Sequence, residues 1–538
     1  MRKAELAKPL FILAGICLAL FFLSACREEL PRITTIYPRI GVMGDVLTIH
    51  GTGFGTERNL SFITIAGTPP TSAAYISWSN EEIVVRTPEF GSAGLVYVHR
   101  GRQRSNPALF ANKAAMPAVA RTHIDNGPRV ASIQPASGPV GSLITISGGN
   151  FGSARNNSAV FFSWTSAEAA GPGFIEISEM EFGYELWSDR EIRVRVPDGA
   201  VSGNLEIRTP RGYSQQVFFT ITEPIGTKVY HERRTFSISH TVDIQVERAS
   251  SPNALFLWMP QPVVSSSQRN VKVNSRNTEP FIENFQGAAL YHFIDTAPGT
   301  GWQIAVSHTV DVYAVETNIR NVAQPALNRP SPVRTAFVLP SPLVPSNDPA
   351  ITTQATAIIA GVPLPFARAQ RIFQWIISNI EIHNQPLTGG VIQALEDRVA
   401  DSYQAALLFS AFARAVGIPA VPVAGVLIDD NNNAVKHYWA EFWLDGFGWV
   451  PLDPALGAGA APPGFTLRQD HAQFYFGNMD NRRIAFSRGE AVFYQMTPHG
   501  RTVQRGREFS FQNIWEEATG GLESYYSRWS NVTITEVY

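Results

Sequence analysis

His437, Trp439 and Glu441 occupy alternate positions of one run, HYWAEFW, so an extended backbone puts all three on one face. A glycine-containing turn, Asp445-Gly446-Phe447-Gly448, separates that run from Trp449-Val450-Pro451-Leu452-Asp453-Pro454. A histidine facing a carboxylate across a hairpin makes a base and its orienter, the proton-handling half of an acyl-transfer or hydrolysis site. For Asp453 to reach His437, the hairpin needs a loop of odd length or one bulge, and Gly446 and Gly448 permit either. A nucleophile is harder to find. The two cysteines, Cys17 and Cys26, both lie in the first 26 residues, which excludes a disulfide framework, a Cys-ligated zinc and a thiol nucleophile in the body. The other ten histidines show no metal-ligand spacing, and no metal or cofactor is implied. Residues 429–433, DDNNN, carry oxygen ligands without the spacing of a known calcium loop and are expected to form a solvated hairpin tip.

These residues need helices and strands to hold them. Apolar residues at i, i+3, i+4 spacing over 366–377 predict one helix. A second runs from Asp401 or Ser402, either of which suits a helix start, to Gly417, which suits a stop. Because this helix is apolar on nearly every side, it is expected at the centre of its domain. A strand over 421–428, the 429–433 turn and the His437 strand follow.

The blocks resemble the transglutaminase-like superfamily, whose core is papain-like. Ala406, Leu408-Phe409, Arg414 and Gly417-Ile418-Pro419 fit its first motif; His437, Trp439 and Glu441 fit the second; Gly448-Trp449, Asp453 and Pro454 fit the third. Residues 474–489 resemble a stretch that often follows such a core, and the run LFLWMPQP at 255–262 resembles one that often precedes it. The resemblance implies an α+β core over 346–495 behind a β-rich domain over 225–345. It also implies a nucleophilic cysteine at the N-terminus of the central helix, where the dipole and a nearby imidazole favour thiolate. Here that position is Ser402. A hydroxyl is far less acidic than a thiol and must lose its proton to an accurately placed base during attack. The sequence therefore favours a domain without catalysis that binds protein or cell-wall peptide. The alternative is a serine-based acyltransferase or hydrolase using Ser402, His437 and Asp453, with Trp439 and Glu441 in support.

Upstream lies a duplication. Residues 31–55 and 128–152 align at an offset of 97, with Gly41/Gly138, Gly44/Gly141, Thr48/Thr145 and Phe54/Phe151 in register. Trp78 and Pro88 match Trp187 and Pro197 at an offset of 109, so the second copy carries a twelve-residue insertion, placed within 163–182. Short alternating runs punctuated by Gly and Pro predict small antiparallel sandwiches over 31–112 and 128–222, and the pattern resembles the IPT/TIG immunoglobulin-like domain. Such domains are expected here as spacers. The fold class is thus multidomain: two all-β immunoglobulin-like sandwiches, a further β-domain, an α+β transglutaminase-like (papain-like) core, and a C-terminal extension over 496–538.

Arg2, Lys3 and Lys8 precede an apolar run over 9–25 that ends in Leu23-Ser24-Ala25-Cys26. This reads as a secretory signal over 1–25, and its end resembles the bacterial lipobox, which implies a lipidated Cys26 and a tether over 26–30. The expected place is the bacterial cell envelope, anchored to a membrane, with the outer membrane favoured by Arg27. A net charge of −2 excludes nucleic acid as the default partner.

Overall fold

The computed structural model of the chain describes residues 30–66, 68–89, 93–101, 103–112, 127–497 and 499–538. Cys17, Cys26 and the expected signal lie outside the described residues. Two compact units emerge, the first sandwich in one and the second sandwich with all that follows in the other.

Both sandwiches are built alike. In the first, Arg32–Tyr37, Val46–Thr52, Glu82–Arg86 and Tyr75–Trp78 form one sheet, and in the second Arg129–Gln134, Leu143–Gly149, Glu191–Arg195 and Tyr184–Trp187 do the same in the same order. The duplication extends to single contacts. Trp78 Nε1 donates to Phe54 O and Trp187 Nε1 to Phe151 O, both at 3.2 Å. A Cβ on Gly51 or on its equivalent Gly148 would lie 2.0 Å from the carbonyl oxygen of Arg32 or Arg129, so only glycine lets these strands close. The insertion adds the strand Gly173–Glu176, which pairs with Ala159–Trp164.

The alternation at 240–246 and 308–313 belongs to two very long strands. Gly226–Pro260 and Gly301–Ile319 run antiparallel, with Ile238, Val242, Ile244, Val306 and Val310 turned into the core. The β-domain differs from its expected bounds. Regular strand ends at Ile319, and the helix Pro332–Ala336 already leads into the core. Moreover, residues 496–538 are no appendage: Glu516–Trp529 and Thr533–Val537 both pair with Gly226–Pro260 and complete its sheet. Nothing local announces that pairing, because the partner lies more than 250 residues upstream.

The core is therefore inserted between strands of one sheet. Its own sheet runs Gly448–Leu452, Ala434–Leu444, Ala420–Ile428, Arg483–Arg488, all antiparallel. Tyr438, Ala440 and Phe442 turn one face toward the helix Ser402–Ala415, whose residues 404–414 are all buried, as its composition required. Trp439, Trp443 and Trp449 turn the other face into a cluster shared with the second sandwich.

Candidate functional site

The hairpin delivers His437 to Asp453. Leu444 pairs with Gly448, leaving the three-residue loop 445–447, an odd length as the sequence demanded. Gly446 and Gly448 take φ of +85° and +101°, the left-handed region where a Cβ is strained. With Ala440 opposite Leu452, Asp453 falls on the His437 face, and His437 Nε2 lies 2.7 Å from Asp453 Oδ2. Both are sealed, at 4% and 0% exposure.

Arg483 and its neighbours, which the sequence reading did not single out, complete this cluster. Arg483 Nη1 donates to the same Asp453 Oδ2 at 2.7 Å and its Nη2 to Asp480 Oδ2 at 2.9 Å, where the Tyr475 hydroxyl also donates. Leu456 N donates to Asp453 Oδ1, so Asp453 also caps the short helix Pro454–Gly457. Burial alone would push the Asp453 carboxyl up; the charges of His437 and Arg483 outweigh it and hold the group at about 2. An ionised carboxylate only accepts, so the imidazole carries its proton on Nε2. Nδ1 makes no hydrogen bond among the described residues and is not sealed from solvent, which leaves a lone pair free to take a proton.

Ser402 is the first residue of the central helix, not its cap. Asp401 has that role: its side chain accepts from Gln404 N while the Gln404 side chain accepts from Asp401 N. The capping explanation for a serine here therefore falls away. Among the described residues the part-buried Ser402 hydroxyl makes no hydrogen bond, to His437 or to anything else. The next residues along do meet: the Tyr403 ring packs edge-on against Tyr438, with centroids 5.1 Å apart. The helix head and the His437 strand thus converge, with two of the three expected groups bonded and the third nearby but unattached.

Trp439 lies beside the imidazole, 6.4 Å between centroids, with the Arg483 guanidinium 5.3 Å over its ring. Glu441 is elsewhere. Its carboxylate accepts from Arg488 at 2.6 and 2.9 Å, and Arg488 reaches on to Glu181 at 2.5 Å, so it serves the junction with the second sandwich. The 429–433 turn is not simply a solvated tip. Asp429 is buried and accepts from Asn431 N, Asn433 N and Asn433 Nδ2, donors where a cation would have to sit.

Residues 352–454 match the transglutaminase-like superfamily core, and residues 31–111 and 128–221 match the IPT/TIG domain. The chain carries two IPT/TIG domains and a transglutaminase-like domain. The core match takes in Ser402, His437 and Asp453, and stops short of Arg483, Arg488 and the C-terminal strands. Among curated proteins, a cyclomaltodextrin glucanotransferase of Paenibacillus macerans is 27% identical over 163 residues, 30% of this chain and 20% of that one. An uncharacterized protein of Haemophilus influenzae is 31% identical over 154 residues, 23% of this chain and 42% of its own. The chain thus spans less than half of either relative. Among solved structures, a candidate cysteine protease from Cytophaga hutchinsonii aligns over 58% of this chain and 92% of its own, at 15% identity and TM-score 0.37. The periplasmic domain of TgpA from Pseudomonas aeruginosa aligns over 40% and 87%, at 15% identity and TM-score 0.24.

Proposed function

We propose that this chain is a lipid-anchored protein of the bacterial cell envelope whose transglutaminase-like domain binds protein or cell-wall peptide without turning it over. The observation that carries this reading is the unattached Ser402 hydroxyl. An alcohol attacks an acyl carbon only as its proton leaves, so it needs the base in contact at that moment. A second feature points the same way. Asp453 shares one oxygen between His437 and Arg483, so part of the charge that would steady an imidazolium is already neutralised. The export and lipidation part of the reading is supported by the basic, apolar, Leu-Ser-Ala-Cys order of residues 2–26.

The competing reading has its own support in the free Nδ1 of a correctly oriented imidazole. Ser402 Oγ would bond to the acyl carbon, His437 Nδ1 would take the hydroxyl proton and return it to the leaving group, and Asp453 would hold the ring. Exposure of the full chain to a serine-reactive fluorophosphonate separates the two. No label on Ser402 in the folded protein is the expected result. Label that disappears in His437→Ala would overturn the binding-only reading.

A further inference from the structure

Five consecutive residues, 507–511, touch both elements that carry the candidate site, although they belong to the segment that returns to the β-domain. Arg507 pairs with Asp401, the cap of the central helix, donates to Gly389 O at 3.2 Å and lies 4.6 Å over the Tyr403 ring. The following residue holds the other element: Glu508 pairs with Lys436 at 2.5 Å, and its carbonyl accepts from the Tyr438 hydroxyl at 2.9 Å. Phe511 then packs on both rings, 5.8 Å from Tyr403 and 5.6 Å from Tyr438, while its N–H donates to Ser487 Oγ. Residues 401–403 and 436–438 are thus gripped by one short segment. Its backbone is bent for the purpose. Arg507 holds φ of +59°, a conformation unfavourable for a residue with a Cβ, and that turn accompanies the aim of its guanidinium at the helix head.

The electrostatics give Arg507 a second task. Asp401 places a carboxylate one residue from Ser402, and a negative charge there opposes any negative charge developing on the side chain at position 402. Arg507 is the cation set against it. We infer that Arg507 is a positioning residue for this site: it fixes the head of the central helix against the His437 strand and offsets the Asp401 charge beside position 402. The inference rests on the reading that Ser402 and His437 share one site, and is indifferent to whether the natural serine turns over.

The cysteine-free body supplies a clean reporter. In the full chain carrying Cys17→Ser and Cys26→Ser, Ser402→Cys introduces the only thiol. Its alkylation by iodoacetamide, followed from about pH 5 to 9, measures ionisation at that position. The expected midpoint lies below the ~8.5 of a free thiol. Arg507→Gln raises it by about one unit, making alkylation on the acid side roughly tenfold slower. Arg507→Lys, which keeps the charge, recovers most of the loss. Thermal unfolding confirms that each variant is folded; if Arg507→Gln is not, Arg507→Lys and Arg507→Met carry the comparison. An unmoved profile in folded Arg507→Gln, where His437→Ala does move it, overturns the role of Arg507 and leaves the shared site standing. A profile that moves in neither variant removes the shared site and the role of Arg507 with it.

Discussion

At the scale of single residues, the pair His437 and Asp453 was legible because alternation and loop parity together fix which side chains share a face of a hairpin. Arg483 was not. One arginine in the strand Arg483–Arg488 resembles another until a register 30 residues away puts it beside Asp453. The consequence is quantitative. Arg483 is the sole cation bonded to two buried carboxylates among the described contacts, Asp453 and Asp480. Arg483→Met should therefore cost about 3–5 kcal/mol, the usual loss when one member of a buried ion pair is removed, read as a lower urea midpoint with an unchanged slope. Glu441 shows the opposite error: its place in the motif suggested a part in the site, whereas Arg488 and Glu181 engage it at a domain junction. Motif position specifies the face, and tertiary partners decide the use.

At the scale of elements, strands with clean alternation were readable, and what lies between them was less so. The long strands Gly226–Pro260 and Gly301–Ile319 carry His240 and His308, stacked at 6.0 Å, buried, and without hydrogen bonds on any ring nitrogen. Burial holds His240 down to about 3, helped by His308, and burial likewise holds His308 down to about 4. Both folded values lie below the ordinary 6.5, so the unfolded chain binds protons first. Stability from keeping these rings neutral is complete above pH 6.5 and drains away as pH falls toward 4 and 3. Melting temperatures across that window should drop in the natural protein and stay much flatter in a His240→Leu, His308→Leu variant. The Gly448 turn offers a second check. An added Cβ there would lie 2.0 Å from Asp198 Oδ1, at a φ of +101°. Gly448→Ala should cost more than ~1 kcal/mol, seen by denaturant unfolding.

For the whole molecule, the sequence disclosed the number and kinds of domains from the 97-residue repeat and the core motifs, but not how they join. Joining depends on residues that look ordinary in their own segments. Asp198 of the second sandwich meets Lys228 at 2.5 Å and Ser266 at 2.7 Å from the β-domain, and Lys228 Nζ donates to Trp449 O of the core at 2.7 Å. The insertion that distinguishes the second sandwich from the first supplies Glu181 to Arg488 and sets Phe182 against Phe337. A copy meant only as a spacer has no need of such contacts; the first copy, without the insertion, forms its own unit. Excising residues 31–112 should accordingly leave the melting of the remainder unchanged. Removing residues 516–537 should abolish its cooperative transition, since circular dichroism would then report a sheet missing two of its strands. The order of synthesis follows from that same closure. A ribosome finishes the strand at 226 long before it makes the ones at 516 and 533, and contacts so distant in sequence form late. Until then the emerging polypeptide stays loose enough to be threaded through a narrow passage, and its final stretch acts as the latch that ends that freedom.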